Sequence, residues 1–175
     1  MRFAYLILPL YLLATGCDSA TGDSTAPDIS GSWMYSETVN MVFPGELAGD
    51  FFGVDSEGPQ IHVDCLVRGT ATVQQNGQTF SIVTTQGLAA CVTQGGQPAA
   101  VPWPPDPSSG DGMIVGMSID IAWAADAAGV ACSKSGAVTT VSGGRATELQ
   151  FTGGCDLSVM PFPATAVNSD VFTRQ

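Results

Sequence analysis

Residues 131–156 read ACSKSGAVTTVSGGRATELQFTGGCD, and they carry the clearest signal of the fold. The pair Gly143-Gly144 is a favoured two-residue turn between antiparallel strands. With the turn centred on this pair, Cys132 lies directly opposite Cys155. The register therefore predicts a β-hairpin that is closed by a Cys132–Cys155 disulfide.

A second hairpin precedes this one in the sequence, with Asn76-Gly77 as its predicted turn. That turn places Cys65 opposite Leu88, three residues before Cys91. A β-bulge, which adds one residue to one strand of a pair, or a break in the strand near Gly87 would close this gap. We predict a Cys65–Cys91 disulfide on this basis.

Three stretches of the chain, residues 31–43, 61–74 and 113–123, alternate between apolar and polar side chains. Such alternation is typical of antiparallel strands with one buried and one solvated face. In the first stretch, Glu37 is the one exception on a face formed by Trp33, Tyr35, Val39, Met41 and Phe43. In the third stretch, the predicted inward side chains are Met113, Val115, Met117, Ile119, Ile121 and Trp123.

The predicted fold class is all-β, an antiparallel meander of about eight strands. A closed barrel and a sandwich both accommodate such a meander. The barrel is favoured because closure removes the exposed strand edges that promote aggregation. Residues 44–60 and 94–111 form long connections, and connections of this length are typically functional or disordered.

The first 16 residues have the pattern of a secretory signal peptide, with Arg2 before an apolar run at residues 3–13 and small residues before Cys17. The run is shorter than the roughly 20 residues that a spanning helix needs. This length disfavours the alternative of a membrane anchor that stays attached. Cleavage by the ordinary signal peptidase is a second alternative, and it would leave Cys17 as a free thiol.

Residues 13–17, Leu-Ala-Thr-Gly-Cys, resemble the lipobox of bacterial lipoproteins. The resemblance implies that the thiol of Cys17 is acylated, that the chain is cut before this cysteine, and that the new amino group is acylated as well. Ala14 stands where the family prefers leucine. Asp18 resembles an inner-membrane retention signal of enteric bacteria, which other phyla do not follow reliably, so the choice of membrane stays open.

The domain boundaries follow from these assignments. Residues 1–16 are the predicted signal peptide, and residues 17–29 are the lipidated cysteine with a small, polar and acidic tether. Residues 30–175 form a single predicted β domain. In an exported chain, the four cysteines that remain after Cys17 indicate two disulfides, with three connectivities open in principle. A zinc site is disfavoured because no pair has Cys-x-x-Cys spacing and His62 is the only histidine.

The charge of the predicted mature chain is strongly negative. From Cys17 onward, four basic residues stand against sixteen acidic ones, a net charge of −12. Such a chain repels nucleic acids and anionic lipid surfaces, so we expect no nucleic-acid partner. Attachment to the membrane then depends on the lipid, which anchors stably when two or more acyl chains are present.

The motif Gly31-Ser32-Trp33, which opens the first predicted strand, resembles the Gly-x-Trp motif of lipocalins and other calycins. The resemblance implies that Trp33 seals the closed end of an eight-stranded barrel and that Arg174, from the last strand, packs across it. It also implies that the connection at residues 44–60 arches over the open mouth. The chain departs from the family in lacking a helix before the last strand.

Several side chains are candidates for a binding role. Phe51, Phe52 and Trp103 lie on the long connections and predict a partner or ligand surface, unless they pack back onto the barrel. An apolar ligand would meet a lining of Phe80, Met113, Met117, Ile119, Ile121, Trp123 and Phe151, although the same residues are able to fill a barrel of this size.

Catalytic and metal chemistry has weaker candidates. Asp50, Asp55 and Glu57 offer oxygen ligands to calcium, but their spacing matches no calcium loop, and a solvated acidic loop is the better interpretation. His62 and Asp64 share a predicted outward face, and a catalytic pair would also need a serine or threonine nucleophile. We therefore expect no metal and no cofactor.

Three functional hypotheses follow. The first is a non-enzymatic lipoprotein of the bacterial cell envelope, on the periplasmic face or the cell surface, whose β domain is a structural or interaction module for an envelope protein. The second is a calycin-like carrier of a small hydrophobic ligand. An enzyme is the third, and the residues above support it least.

Overall fold

The computed structural model describes residues 26–45, 59–100, 108–123, 130–157 and 164–175. Eight antiparallel strands follow one another around a closed barrel, and the last strand pairs with the first. The meander and its closure confirm the predicted fold class. The strands are β1 (Gly31–Pro44), β2 (Gln60–Asn76), β3 (Thr79–Thr93), β4 (Ser108–Val115), β5 (Ser118–Trp123), β6 (Ala131–Ser142), β7 (Arg145–Asp156) and β8 (Thr165–Arg174).

The two ends of the barrel differ. Three two-residue turns, at residues 77–78, 116–117 and 143–144, lie at one end, which we call the turn end. β1 begins and β8 ends there, since Trp33 pairs with Arg174. The four longer connections leave from the opposite end, which we call the loop end, where β1, β3, β5 and β7 finish. The chain therefore enters and leaves the barrel at the turn end.

The turn of the first hairpin differs from the prediction. Asn76 pairs with Thr79, so the turn residues are Gly77 and Gln78 rather than Asn76 and Gly77. Gly77 has φ +62°, and a glycine at the first central position is what a type II′ turn requires. The prediction was wrong by one residue. The sequence does not distinguish the two turns, because both contain Gly77 and both leave the same side chains on the inner face of the strands.

This corrected register also accounts for the first disulfide. Arg68 pairs with Leu88 and Gly69 pairs with Gln86, so Gly87 is the extra residue of a β-bulge. Beyond the bulge, Cys65 lies directly opposite Cys91. Of the two predicted alternatives near Gly87, the structure shows the bulge. The turn at residues 77–78 and this extra residue together bring Cys65 opposite Cys91.

Residues 113–123 form two strands rather than the single strand that the alternation predicts. β4 ends at Val115, Gly116 has φ +60° in the turn, and β5 begins at Ser118. A two-residue turn changes the phase of the alternation, so that Ile114 and Ile119 face the interior together. The residues before β5 that were expected to face inward are instead exposed, namely Met113, Val115 and Met117.

Two residues that precede the predicted boundary at residue 30 contact the barrel. Asp28 accepts a backbone hydrogen bond from Ala146 and donates one to Gly144. Ile29 is completely buried in the core. Asp28 and Ile29, which the sequence assigned to the tether, therefore belong to the barrel, because an apolar side chain gains free energy by leaving water.

The interior contains two separate apolar clusters. The first lies towards the turn end, and its aromatic members include Trp33, Tyr35, Phe151 and Phe172. The second lies towards the loop end and is formed by residues such as Met41, Phe43, Ile61 and Val63. The inward row of β1 passes from one cluster to the other through Glu37. The core of the barrel is therefore divided at the level of a charged residue.

Candidate functional site

Four polar side chains meet between the two apolar clusters. They are Glu37 on β1, Lys134 on β6, and Asn168 and Asp170 on β8. We call this group the charged layer. The side chains of Lys134 and Asp170 are only 6 % and 1 % exposed, whereas that of Glu37 is 17 % exposed. Buried charges are rare unless they are paired, so this group stands out among the described residues.

Strand register brings the four residues together. Glu37 lies directly opposite Asp170 in the β1–β8 pair. On β7, Gly153 lies between Lys134 and Asn168 and is paired with both. A Cβ atom at Gly153 would stand 2.7 Å from Cα and 2.8 Å from Cγ of Lys134. Because glycine has no side chain, Lys134 can extend across β7 and reach the two carboxylates.

Lys134 joins both carboxylates. Its Nζ atom donates to Oε1 of Glu37 at 2.8 Å and to Oδ2 of Asp170 at 2.6 Å. Nδ2 of Asn168 donates to the same Glu37 oxygen at 2.6 Å. Like charges directly opposite each other in a sheet are destabilising, and the ammonium group between the two carboxylates offsets that repulsion.

Burial changes the proton affinity of Asp170. Removal from water is the main cause that raises the pKa of this carboxyl to about 6. The positive charge of Lys134 opposes this rise, and the neighbouring Glu37 carboxylate contributes to it. Asp170 therefore exchanges its proton closer to neutral pH than an aspartate in water does.

The layer contains more acceptors than donors. Oδ1 of Asn168 and Oδ1 of Asp170 are buried, and neither has a hydrogen-bond partner among the described residues. Leaving a buried acceptor unpaired costs about 1–3 kcal/mol, so each such atom calls for an explanation. Both belong to β8 and stand two residues apart on its inner face.

On one side, the charged layer is bordered by the ring of Trp123 and by the Cys132–Cys155 disulfide. Nζ of Lys134 lies 4.9 Å from the centroid of the Trp123 ring, which is within reach of a cation–π interaction. Nδ2 of Asn168 also approaches Sγ of Cys155 at 3.8 Å. Trp123 and Cys132 are partly exposed, so this side of the layer is less enclosed than the apolar cluster towards the turn end.

The turn end is closed by the two residues that the calycin resemblance singled out. The guanidinium group of Arg174 lies 4.7 Å from the ring of Trp33. It also donates to the backbone carbonyl oxygens of Asp28, Ser30 and Ala146. Trp33 is completely buried, and its Nε1 atom donates to the carbonyl oxygen of Ile29 at 3.0 Å. Arg174 thus ties the incoming chain to the end of the barrel.

Both disulfides are present with the predicted pairing, Cys65–Cys91 and Cys132–Cys155. Each joins residues that lie directly opposite each other on adjacent strands. The first belongs to the apolar cluster at the loop end. Four of the five cysteines are therefore paired with one another.

The other sequence candidates are not brought together. His62 and Asp64 are exposed on the outer face of β2. Of the predicted lining, Phe80, Ile119, Ile121 and Phe151 are buried, Trp123 is partly buried, and Met113 and Met117 are exposed. Residues outside the described part of the chain include Cys17, Asp50, Phe51, Phe52, Asp55, Glu57 and Trp103. Within the described ranges, no group of three or more His, Cys, Asp and Glu side chains is placed to hold a metal ion.

The sequence contained a signal for the charged layer that the predictions did not use. Glu37 interrupts the apolar face of β1, and Asn168 and Asp170 have the same parity as the buried Phe172. Lys134 is two residues after Cys132 and therefore lies on the same face of β6. The predicted hairpin register had already placed Cys132 opposite Cys155. Opposite charges at inward positions of strands one, six and eight become neighbours only when the barrel closes.

Comparisons with known proteins assign no family to this chain, because no protein-family model and no curated protein matches it. In the part of the chain that the structure describes, no helix is long and apolar enough to cross a membrane.

Proposed function

We propose that this protein is an exported bacterial lipoprotein, held at the cell envelope by acyl chains on Cys17, whose disulfide-bonded barrel is a non-enzymatic structural or interaction module. The observation that carries the proposal is the pairing of the other four cysteines with one another. Disulfides persist in oxidising compartments outside the cytosol, and this pairing leaves Cys17 available for lipid.

The topology supports a defined orientation of the module. Asp28 bonds to the turn at residues 143–144, so the chain that leads back to Cys17 leaves the barrel at the turn end. Ten residues separate Cys17 from Asp28, and an extended chain spans at most roughly 3.5 Å per residue. A lipid on Cys17 would thus hold the turn end near the membrane and direct the loop end away from it.

The loop end is the better candidate for a partner surface. Phe51, Phe52 and Trp103 belong to connections that leave from this end, and apolar side chains on long connections commonly mark interaction sites. The partner would be another protein of the envelope. All six charged residues of residues 45–59, 94–107, 124–130 and 157–164 are acidic, which favours a partner with a basic surface.

Carriage of a small hydrophobic ligand remains the alternative function, and the contact between Arg174 and Trp33 is what favours it. The charged layer argues against a large apolar cavity, because it crosses the middle of the barrel between two clusters of buried side chains. A purely apolar ligand at this level would offer no donor to the two buried acceptor oxygens of Asn168 and Asp170.

The anchor is tested by replacing Cys17 with serine in the producing bacterium. We expect the wild-type protein to incorporate an alkyne-labelled fatty acid and to sediment with membranes, and Cys17→Ser to lose both properties while its barrel stays oxidised. The matched control is Ser19→Ala, two residues further on, which should remain lipidated. Equal labelling of wild type and Cys17→Ser would refute the proposal.

A further inference from the structure

The hydrogen-bonding capacity of the charged layer is unbalanced. The ammonium group of Lys134 and the amide of Asn168 donate to Glu37 and Asp170. Two buried acceptor oxygens, one on Asn168 and one on Asp170, are left without a donor. Both residues are more than nine-tenths buried. Bulk water therefore cannot satisfy them, and a group that binds here must itself donate hydrogen bonds.

The electrostatic balance of the layer favours a cation. Two carboxylates face one ammonium group, so the ionised layer carries one excess negative charge. In an interior of low dielectric constant, such a charge is stabilised by a counter-charge at close range. An anion would be repelled by Glu37 and Asp170.

The geometry points to a binding site in the charged layer for a small monovalent cation that donates hydrogen bonds, namely an ammonium ion or a primary ammonium group, with Oδ1 of Asn168 and Oδ1 of Asp170 as its acceptors. The ring of Trp123, 4.9 Å from Nζ of Lys134, lies beside the layer, and an aromatic face suits a cation. Glu37, the most exposed member of the layer, marks the side that solvent reaches.

A divalent metal ion fits this arrangement less well. Hard cations such as calcium take six to eight oxygen ligands, whereas the layer offers two free oxygens beside the positive charge of Lys134. An ammonium group donates one hydrogen bond through each of its N–H bonds. It can donate to the two free oxygens and direct a remaining N–H bond towards solvent. Hydrogen-bonding capacity, rather than charge alone, is therefore the property that identifies the ligand.

Thermal unfolding of the purified mature protein tests the inference with ammonium chloride as the probe. Tetramethylammonium chloride at the same ionic strength is the control salt, because it carries the charge and has no N–H group. We expect ammonium to raise the unfolding midpoint by about 3–5 °C at ten times its dissociation constant. We expect no such rise with tetramethylammonium. Equal shifts in the two salts would overturn the proposal.

Two variants locate the effect. Asp170→Asn removes the excess charge with little change in shape, and it should abolish the difference between the two salts. Asp64→Asn removes a carboxylate from the outer face of β2 and should leave the difference intact. A difference that persists in Asp170→Asn would overturn the assignment of the site.

A measurement on the wild-type protein covers the case in which Asp170→Asn fails to fold. With ¹⁵N-ammonium chloride, a bound ion should give a second proton–nitrogen resonance that is protected from exchange and shows contacts to the side-chain amide of Asn168. A single resonance at the position of free ammonium would mean that water alone satisfies the two oxygens, and the proposal would fail.

The bound resonance should fade below about pH 6 as Asp170 takes up a proton, because its pKa is raised to about 6. The charged groups that face Asp170 are Glu37 from β1 and Lys134 from β6, and β7 contributes Phe151 and Gly153, which carry no charge.

Discussion

Replacing Lys134 by methionine should be the most destabilising single change in the charged layer. Lys134 is the only lysine of the chain and the only cation within the layer. Methionine keeps the length and the apolar stem of the side chain but removes the charge. Glu37 and Asp170 would then face each other, buried and uncompensated.

The magnitude follows from the two bonds that are lost. A hydrogen bond to a charged group contributes about 1.5–3 kcal/mol, and removal of one member of a buried ion pair destabilises by about 3–5 kcal/mol. We therefore expect Lys134→Met to lower the free energy of unfolding by about 4 kcal/mol at pH 7. For a domain of this size, the loss corresponds to roughly 10–15 °C in the unfolding midpoint.

Urea unfolding of the oxidised protein, followed by circular dichroism, measures this loss. Arg68→Met is the matched control because it also removes one positive charge, in this case from the exposed outer face of β2. Surface changes of that kind usually stay within about 0.5 kcal/mol. Adding Glu37→Gln to Lys134→Met removes the repulsion between the carboxylates and should restore part of the stability.

Two results would refute the claim that Lys134 stabilises the barrel as the counter-charge of Glu37 and Asp170. One is a Lys134→Met protein whose stability lies within about 1 kcal/mol of the wild type, since that is well below the loss expected for a buried ion pair. The other is a double variant that is less stable than Lys134→Met alone. The second result would mean that Glu37 stabilises the barrel by packing and not through its charge.

The remaining predictions concern pH, the disulfides and the turn end. Folded Asp170 keeps its proton up to about pH 6, while an unfolded aspartate releases it near 3.8, so the folded protein binds more protons in that window. The contribution of Asp170 to stability should fall as pH rises from about 4 to 6; urea titrations should show this slope in the wild type and not in Asp170→Asn. Replacing Cys132 and Cys155 together by alanine opens a bridge between residues 23 apart and should cost about 3 kcal/mol, seen as a lower urea midpoint; an unchanged midpoint contradicts a formed bridge. Arg174→Lys keeps the charge but loses the planar group that covers Trp33. Amide exchange at residues 28–30 should become at least tenfold faster, and unchanged protection there would show that Arg174 does not hold the incoming chain.

Much of the barrel follows from local rules. Period-two alternation and the glycine pair at residues 143–144 predicted the antiparallel hairpin, because a two-residue turn determines which residues face each other. That register placed Cys132 opposite Cys155, as the structure shows. Closure into a ring followed from the general disadvantage of open strand edges.

The errors arise where two local interpretations preserve the same pattern. Moving the first turn by one residue, from Asn76-Gly77 to Gly77-Gln78, keeps the same residues on the inner face, so the alternation cannot separate the two turns. In residues 113–123, apolar side chains at every odd position predict one uninterrupted strand. The turn at Gly116 instead divides this stretch into β4 and β5 and changes which positions face inward. The antiparallel pairing of β4 with β5, which places Val115 opposite Ser118, distinguishes two strands from one.

The charged layer was beyond local reasoning for a different reason. Its members come from residues 37, 134, 168 and 170, and each one alone looks like a polar residue at a strand position. Their meeting depends on closure of the barrel and on the missing side chain of Gly153. A long-range contact of this kind requires the complete strand order.

Mass spectrometry of the non-reduced protein, isolated from the envelope of the producing bacterium and digested into peptides, is the most direct test of the lipid anchor and the two disulfides. We predict an N-terminal peptide that begins at Cys17 and carries acyl chains, together with two cross-linked peptides that contain the pairs Cys65–Cys91 and Cys132–Cys155. An unmodified Cys17 would contradict the lipid anchor, and free thiols at the other four cysteines would contradict the two disulfides.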